Sequence, residues 1–91
     1  MEKISVGKNT YEIIKDYKSG YNKDDFINLC TDYFEEYDYI VGDWAYGKLR
    51  LKGFFDKKNK KCSEINNYEK LDEYLKNNCA FDCKYFVAKR V

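Results

Sequence analysis

The sequence predicts an α+β fold: a single small domain with a mainly antiparallel sheet of about five strands covered by two helices, in the order β-β-α-β-β-(β)-α-β. Three observations predict it. First, 91 residues with 44% hydrophobic and 36% charged side chains make one globular domain, which at this length buries about 60 to 65% of the surface that its unfolded chain exposes. Second, two segments carry apolar residues at helical spacing behind asparagine caps. Third, the rest is short aromatic or β-branched runs separated by glycine and asparagine turns. Aromatic residues are 19% of the chain, so Tyr and Phe, more than Leu and Val, must fill the core.

Lys3 to Val6 is short and β-like, Gly7-Lys8-Asn9 supplies a turn, and Thr10 to Tyr17 carries Tyr11, Ile13 and Ile14 in an extended pattern, so the chain opens on a hairpin. Ser19-Gly20 breaks it. Asn22, with Asp25 three residues on, has capping-box spacing. Phe26, Leu29, Cys30, Tyr33, Phe34 and Tyr37 then form one helical stripe opposite Asp25, Asn28, Asp32 and Glu35, which predicts a helix running to Tyr37 with Cys30 in the core. Asp38 to Asp43 reads as a strand, Trp44-Ala45-Tyr46-Gly47 as a turn, and Lys48 to Phe55 as the returning strand. On that strand Leu49, Leu51 and Phe55 alternate with Lys48, Arg50, Lys52 and Phe54. Asp56-Lys57-Lys58-Asn59 is a turn by composition, and Lys61 to Ile65 is expected to return as a further strand. Asn66, with Glu69, caps a second helix with Tyr68, Leu71, Tyr74 and Leu75 inward, ending at Asn77-Asn78. Phe81 to Val91 is the last strand.

Composition removes several function classes. Lys plus Arg number 17 against 16 Asp plus Glu, a net charge of +1, so the whole-chain field does not draw in polyanions. No apolar run reaches the roughly 18 residues of a membrane span, and MEKISVGKN lacks the apolar stretch of a signal peptide. A cytoplasmic location is therefore expected, with Cys30, Cys62, Cys79 and Cys83 all kept as thiols. There is no His, which takes away the commonest general base and the commonest metal ligand. Only Cys79 and Cys83 are close in sequence, and on a strand positions four apart lie about 13 Å from each other, so neither a structural zinc site nor any other metal or cofactor is expected.

Catalytic constellations are equally sparse. Glu35-Glu36 and Asp24-Asp25 sit at helix ends, where acids cap or are solvated. Ser5, Ser19 and Ser63 lie in no nucleophile motif, and Gly42, Gly47 and Gly53 are too scattered to cradle a phosphate. The reading is not an enzyme. The alternative is a small enzyme or thiol site built on Asp43 or on Cys79 and Cys83; the simpler role for Asp43 is to bond turn amides.

What remains is a surface. Lys48, Arg50 and Lys52 point one way along a strand, with Tyr46 and Phe54 at its ends and Trp44 nearby, so positive charge is bracketed by rings. Such a face suits a single-stranded or RNA ligand, or a protein partner, since Tyr, Trp and Arg dominate interface hot spots. Gly42, Gly47 and Gly53, with Asp43, are read as the structural members that shape the turn.

The stretch YDYIVGDWAYGKLRLKGFF, from Tyr37 to Phe55, together with SGYNKDDF and LDEYLKNNCAFDCKYFVAKR, resembles the YutD-like family, small uncharacterised proteins of low-GC Gram-positive bacteria. The resemblance covers nearly the whole chain and implies a single α+β domain over residues 1–91 in the cytoplasm. It carries no established activity onto any residue. Names in the family sometimes include a transcription-regulator label, but no helix-turn-helix with a basic recognition helix is present, so direct reading of duplex DNA is not expected.

Overall fold

The computed structural model describes residues 2–78 and 83–91. Five strands form one sheet in the order β1-β2-β5-β3-β4, every pairing antiparallel: β1 is Lys3–Val6, β2 Asn9–Tyr17, β3 Tyr39–Ala45, β4 Lys48–Phe54 and β5 Tyr85–Arg90. The last strand is thus the middle one. It joins two local hairpins, β1–β2 and β3–β4, which do not touch each other as strands.

Because β5 is central, its two faces are both covered, and its side chains read as a continuous apolar run. Phe86 and Ala88 look one way, into a cluster with Ile4, Tyr11, Ile13, Phe26, Cys30, Ile40 and Leu49 beneath helix α1, Lys23–Leu29. Val87 looks the other way, packing with Val41, Phe54 and Leu71 beneath helix α2, Leu71–Asn78. Aromatic edges build the first cluster: Phe26 meets Tyr11 at 5.8 Å and Phe86 at 5.5 Å between ring centroids, both T-shaped. At Gly42 the main chain of β3 lies against the fully buried Phe86 ring, and a Cβ there would overlap it.

Four boundaries differ from expectation. The first helix stops at Leu29; Asn22 does cap it, its Oδ1 accepting the Asp25 amide at 3.1 Å. Cys30 is the C-cap, and the stripe continues through a 3₁₀ turn, Asp32–Phe34. The cause lies downstream, because the Glu35 carbonyl accepts from Asn9 Nδ2 at 3.0 Å and Arg90 Nη1 at 2.6 Å, which pulls the chain out of helical register and toward β3. Lys61 to Ile65 is turn and coil instead of a strand. Its neighbours satisfy the backbone with side chains: Asp56 Oδ1 takes the Lys58 amide, Asn59 Oδ1 that of Lys61 and Asn66 Oδ1 that of Ser63. Asn66 is thereby used up, and the cap before α2 is Asn67, which accepts the Glu69 amide at the head of a 3₁₀ turn, Tyr68–Lys70. Trp44 and Ala45, expected in a turn, belong to β3.

The cysteines also depart from four thiols. Cys30 and Cys62 are free, with burial pushing the Cys30 thiol pKa up, whereas Cys83 is disulfide-bonded. The strand spacing argument does not apply to Cys83, which precedes β5; Cys79, like the expected strand start at Phe81, lies outside the described residues. No helix among the described residues is long and apolar enough to cross a membrane.

Two outcomes follow from this core. Gly42→Ala is expected to cost about 3 kcal/mol in urea unfolding because the buried Phe86 ring has nowhere to go, while Gly47→Ala, with open space around it, costs only about 1 kcal/mol for its positive φ. Equal losses would contradict the packing. Burial and the nearby Glu2 carboxylate push the Tyr21 phenol up to about 12, and burial also raises Tyr11, Tyr68 and Tyr74. The folded state therefore holds phenolic protons that the unfolded chain releases near pH 10. Stability should be unaffected by these groups below pH 10 and fall between 10 and 12, and Tyr21→Phe should lessen that fall; a urea midpoint level across that window would refute it.

Candidate functional site

The β3–β4 hairpin is closed by a two-residue turn. Ala45 pairs with Lys48, and Tyr46 and Gly47 between them have φ of 53° and 75°, the mirror-image turn that suits the right-handed twist of paired strands. Asn-Gly is the favoured sequence for it. Tyrosine at the first position is strained by roughly 1 kcal/mol, and its side chain is not packed in compensation: Tyr46 is 103% exposed, as open as a residue can be.

Behind the tip the expected face divides. Lys48, Arg50, Lys52 and Phe54 do share one side of β4, but they are not one surface. Lys48 is exposed, Lys52 is half-buried with its Nζ 5.4 Å from the Phe54 ring centroid, and Phe54 itself is 1% exposed. Phe54 packs edge-on to Tyr74 at 5.5 Å and toward Tyr68 under α2, so it is a core residue and offers no ring for stacking. The alternation was legible, but the covering helix was not placed over it.

Arg50 is opposite Asp43 in the strand register, and its Nη2 donates to Asp43 Oδ2 at 2.6 Å. Asp43 is fully buried. The hydrogen bond, then the carboxylate charge, raises the Arg50 pKa. Asp43, expected to hold turn amides, instead faces α2, where burial and then its charge raise the Tyr74 phenol. Asp43 Oδ1 has no hydrogen-bond partner among the described residues.

Trp44 is on the opposite side. Its Nε1 donates to the Gly20 carbonyl at 2.6 Å, and Lys84 Nζ sits 4.4 Å above the ring. With Leu29, Lys48 and Leu49 it borders a groove of about 330 Å³ between α1 and the hairpin. Gly53 lies under the Tyr37 ring. Sequence reasoning missed two members of this neighbourhood. Tyr74 carried no signal beyond its place on an inward helical face. Arg90 pairs with Asp38 at 3.1 Å, whose Oδ2 takes the Asp56 amide and Asn59 Nδ2; 52 residues separate that pair, and no local pattern announces it.

The described residues hold no cluster of three metal-ligating groups. The site offers instead a rigid hairpin with an exposed ring at its tip and cations along one strand, which is contact chemistry. Arg50→Met strands a buried carboxylate and is expected to cost about 2 kcal/mol in urea unfolding, below the 3–5 kcal/mol of a fully buried pair because half of Arg50 is solvated. Asp43→Leu combined with Arg50→Met should restore most of it. A single-variant loss under about 0.5 kcal/mol would mean the pair does not matter to the fold.

Comparison with known proteins agrees with this architecture. Residues 5–89 match the family described as "Putative antitoxin YutD-like". The chain is 47% identical over 88 residues to "Putative antitoxin YutD" of Bacillus subtilis (strain 168), spanning 97% of each chain. The solution NMR structure of protein yutD from B. subtilis superposes with a TM-score of 0.83 at 43% identity, covering 100% of this chain and 83% of that one. A match over nearly the full length in both sequence and fold leaves one assignment: the chain belongs to the YutD-like family.

Proposed function

We propose that this chain is a non-catalytic, cytoplasmic protein-binding module whose contact surface is the β3–β4 hairpin. The observation that carries the reading is Tyr46: a fully exposed aromatic ring held at positive φ on a tight turn. Strain of that kind persists where the surroundings impose it and is concentrated at functional positions, and a rigid exposed tyrosine loses little conformational freedom on docking. Lys48, Arg50 and Lys52 supply charge beside it, and Trp44 borders the adjoining groove. The words "Putative antitoxin" in the family description and in the B. subtilis relative's name support a protein as the partner.

An RNA ligand on the same face has less support. Burial of Phe54 leaves Tyr46 as the exposed ring of the pair, and the Asp43 carboxylate offsets the charge of Arg50. A small enzyme or thiol site on Asp43 or on Cys79 and Cys83 also has less: Asp43 is sealed from solvent and Cys83 is bonded.

Tyr46→Asn tests the reading, because asparagine is favoured at this turn position. The variant should be more stable by about 0.5–1 kcal/mol and should recover at least tenfold less of the protein partner in a ribonuclease-treated pull-down from the native cytoplasm, with Tyr33→Ser, at a second exposed tyrosine, as the unaffected control. Partner recovery unchanged by Tyr46→Asn, or a ligand that disappears with ribonuclease, would contradict the proposal.

A further inference from the structure

We infer that the hairpin recognises its partner by strand addition: an extended segment, alternating acidic and apolar side chains, pairs with the outer edge of β4 between Lys48 and Lys52. The inference rests on the protein-binding reading and says how that surface works.

Among the described residues β4 is an edge strand, paired only with β3. Three backbone bonds fix which of its residues look outward. Trp44 N–H donates to the Lys84 carbonyl on the β5 side, so the even residues of β3 face β5 and the odd ones face β4; in the register Val41↔Lys52, Asp43↔Arg50 and Ala45↔Lys48 the even residues of β4 therefore bond to β3. At Phe55 the next odd residue does look outward, its N–H donating to the Asn66 carbonyl at 2.6 Å and its carbonyl accepting the Tyr68 amide at 3.0 Å. The loop thus closes the far end of the edge, and Gly53 is buried under Tyr37. The N–H and C=O groups of Leu49 and Leu51 are left facing outward, and no backbone hydrogen bond reaches them among the described residues.

Such a row templates another strand, and proteins blunt it with lysine. Here the lysines select as well as guard. A second copy pairing antiparallel about Arg50 would set Lys48 against Lys52 and Arg50 against Arg50, which like charge disfavours. A strand with acidic residues on that side meets Lys48 and Lys52 with opposite charge. On the other side its apolar residues run beside Leu49 and Leu51, next to the groove where Leu29 and Trp44 lie with the polar Asp25 and Asn28 at its α1 wall. Main-chain bonds with side chains alternating between two flanks are how added strands are held and read.

Two measurements decide it, by amide NMR on the intact chain. In the free protein the Leu49 and Leu51 amides should exchange at least about 100-fold faster than those of Arg50 and Lys52, as outward and inward residues of one edge; protection of the outward pair would show the edge already covered and end the proposal. A blocked peptide alternating valine and glutamate should then shift and protect the Leu49 and Leu51 amides, and Lys48→Glu with Lys52→Glu should transfer that preference to the same peptide carrying lysine. No response at millimolar peptide, a concentration-dependent dimer that protects β4, or a response only to an oligouridylate each overturns strand addition. A protein partner that still depends on Tyr46 while the edge amides stay unprotected would overturn this mode and leave the binding-module reading intact.

Discussion

The structure depends on one constraint: the strand last in sequence is the strand central in the sheet. β5 gives Phe86 and Ala88 to one core and Val87 to the other, and all three are fully buried. Its hydrogen bonds also join two hairpins that have no other strand pairing between them among the described residues. Burying apolar area on both faces is what such a short chain needs, since a single-sided sheet of this size would leave too little surface out of water. The same requirement explains why tyrosine and phenylalanine do the filling: each removes a large area for one ordered side chain.

The position of β5 decides what is left over. With β2 on one flank and β3 on the other, β1 and β4 become the edges, and β4 is the longer of the two. The hairpin that carries it is stiffened from both faces, by the Asp43–Arg50 pair under α2 and by Trp44 bonded to Gly20 beside α1. Tyr46 is therefore held at the end of a braced element, so its strained backbone and free ring are set by the fold and not by the turn alone. A buried carboxylate whose partner is half in solvent contributes less to stability than an apolar pair would.

Much of this was legible in the residues. The strands expected at Lys3 to Val6 and Thr10 to Tyr17, the Asn22 cap, the two strands expected between Asp38 and Phe55 and a last strand before Val91 follow, to within a few residues at their ends, from period-two and period-3.6 patterns that local chemistry enforces. The misreadings share a cause, which is that a hydrogen-bond partner that periodicity does not show, near or far in the chain, takes the group. Asn9 and Arg90 capture the Glu35 carbonyl and end a helix whose stripe continues to Tyr37. Asn66 turns back to Ser63 and yields its capping role to Asn67. For the site, alternation put Phe54 with the lysines correctly, yet period alone says only which side a residue faces and never whether a helix covers that side. Cross-strand pairing of Asp43 with Arg50 needs the register, and the register needs the turn to be two residues long instead of four.

The most direct measurement is native-state amide exchange at Ile40, Gly42 and residues 86–88, compared with the free energy of urea unfolding. If β5 holds the two hairpins together, these amides open only with the whole molecule, and the two free energies agree. Exchange there at a free energy well below the global value, with β3–β4 still protected, would mean that the hairpin stands without β5 and that the central strand is not what fixes the open edge.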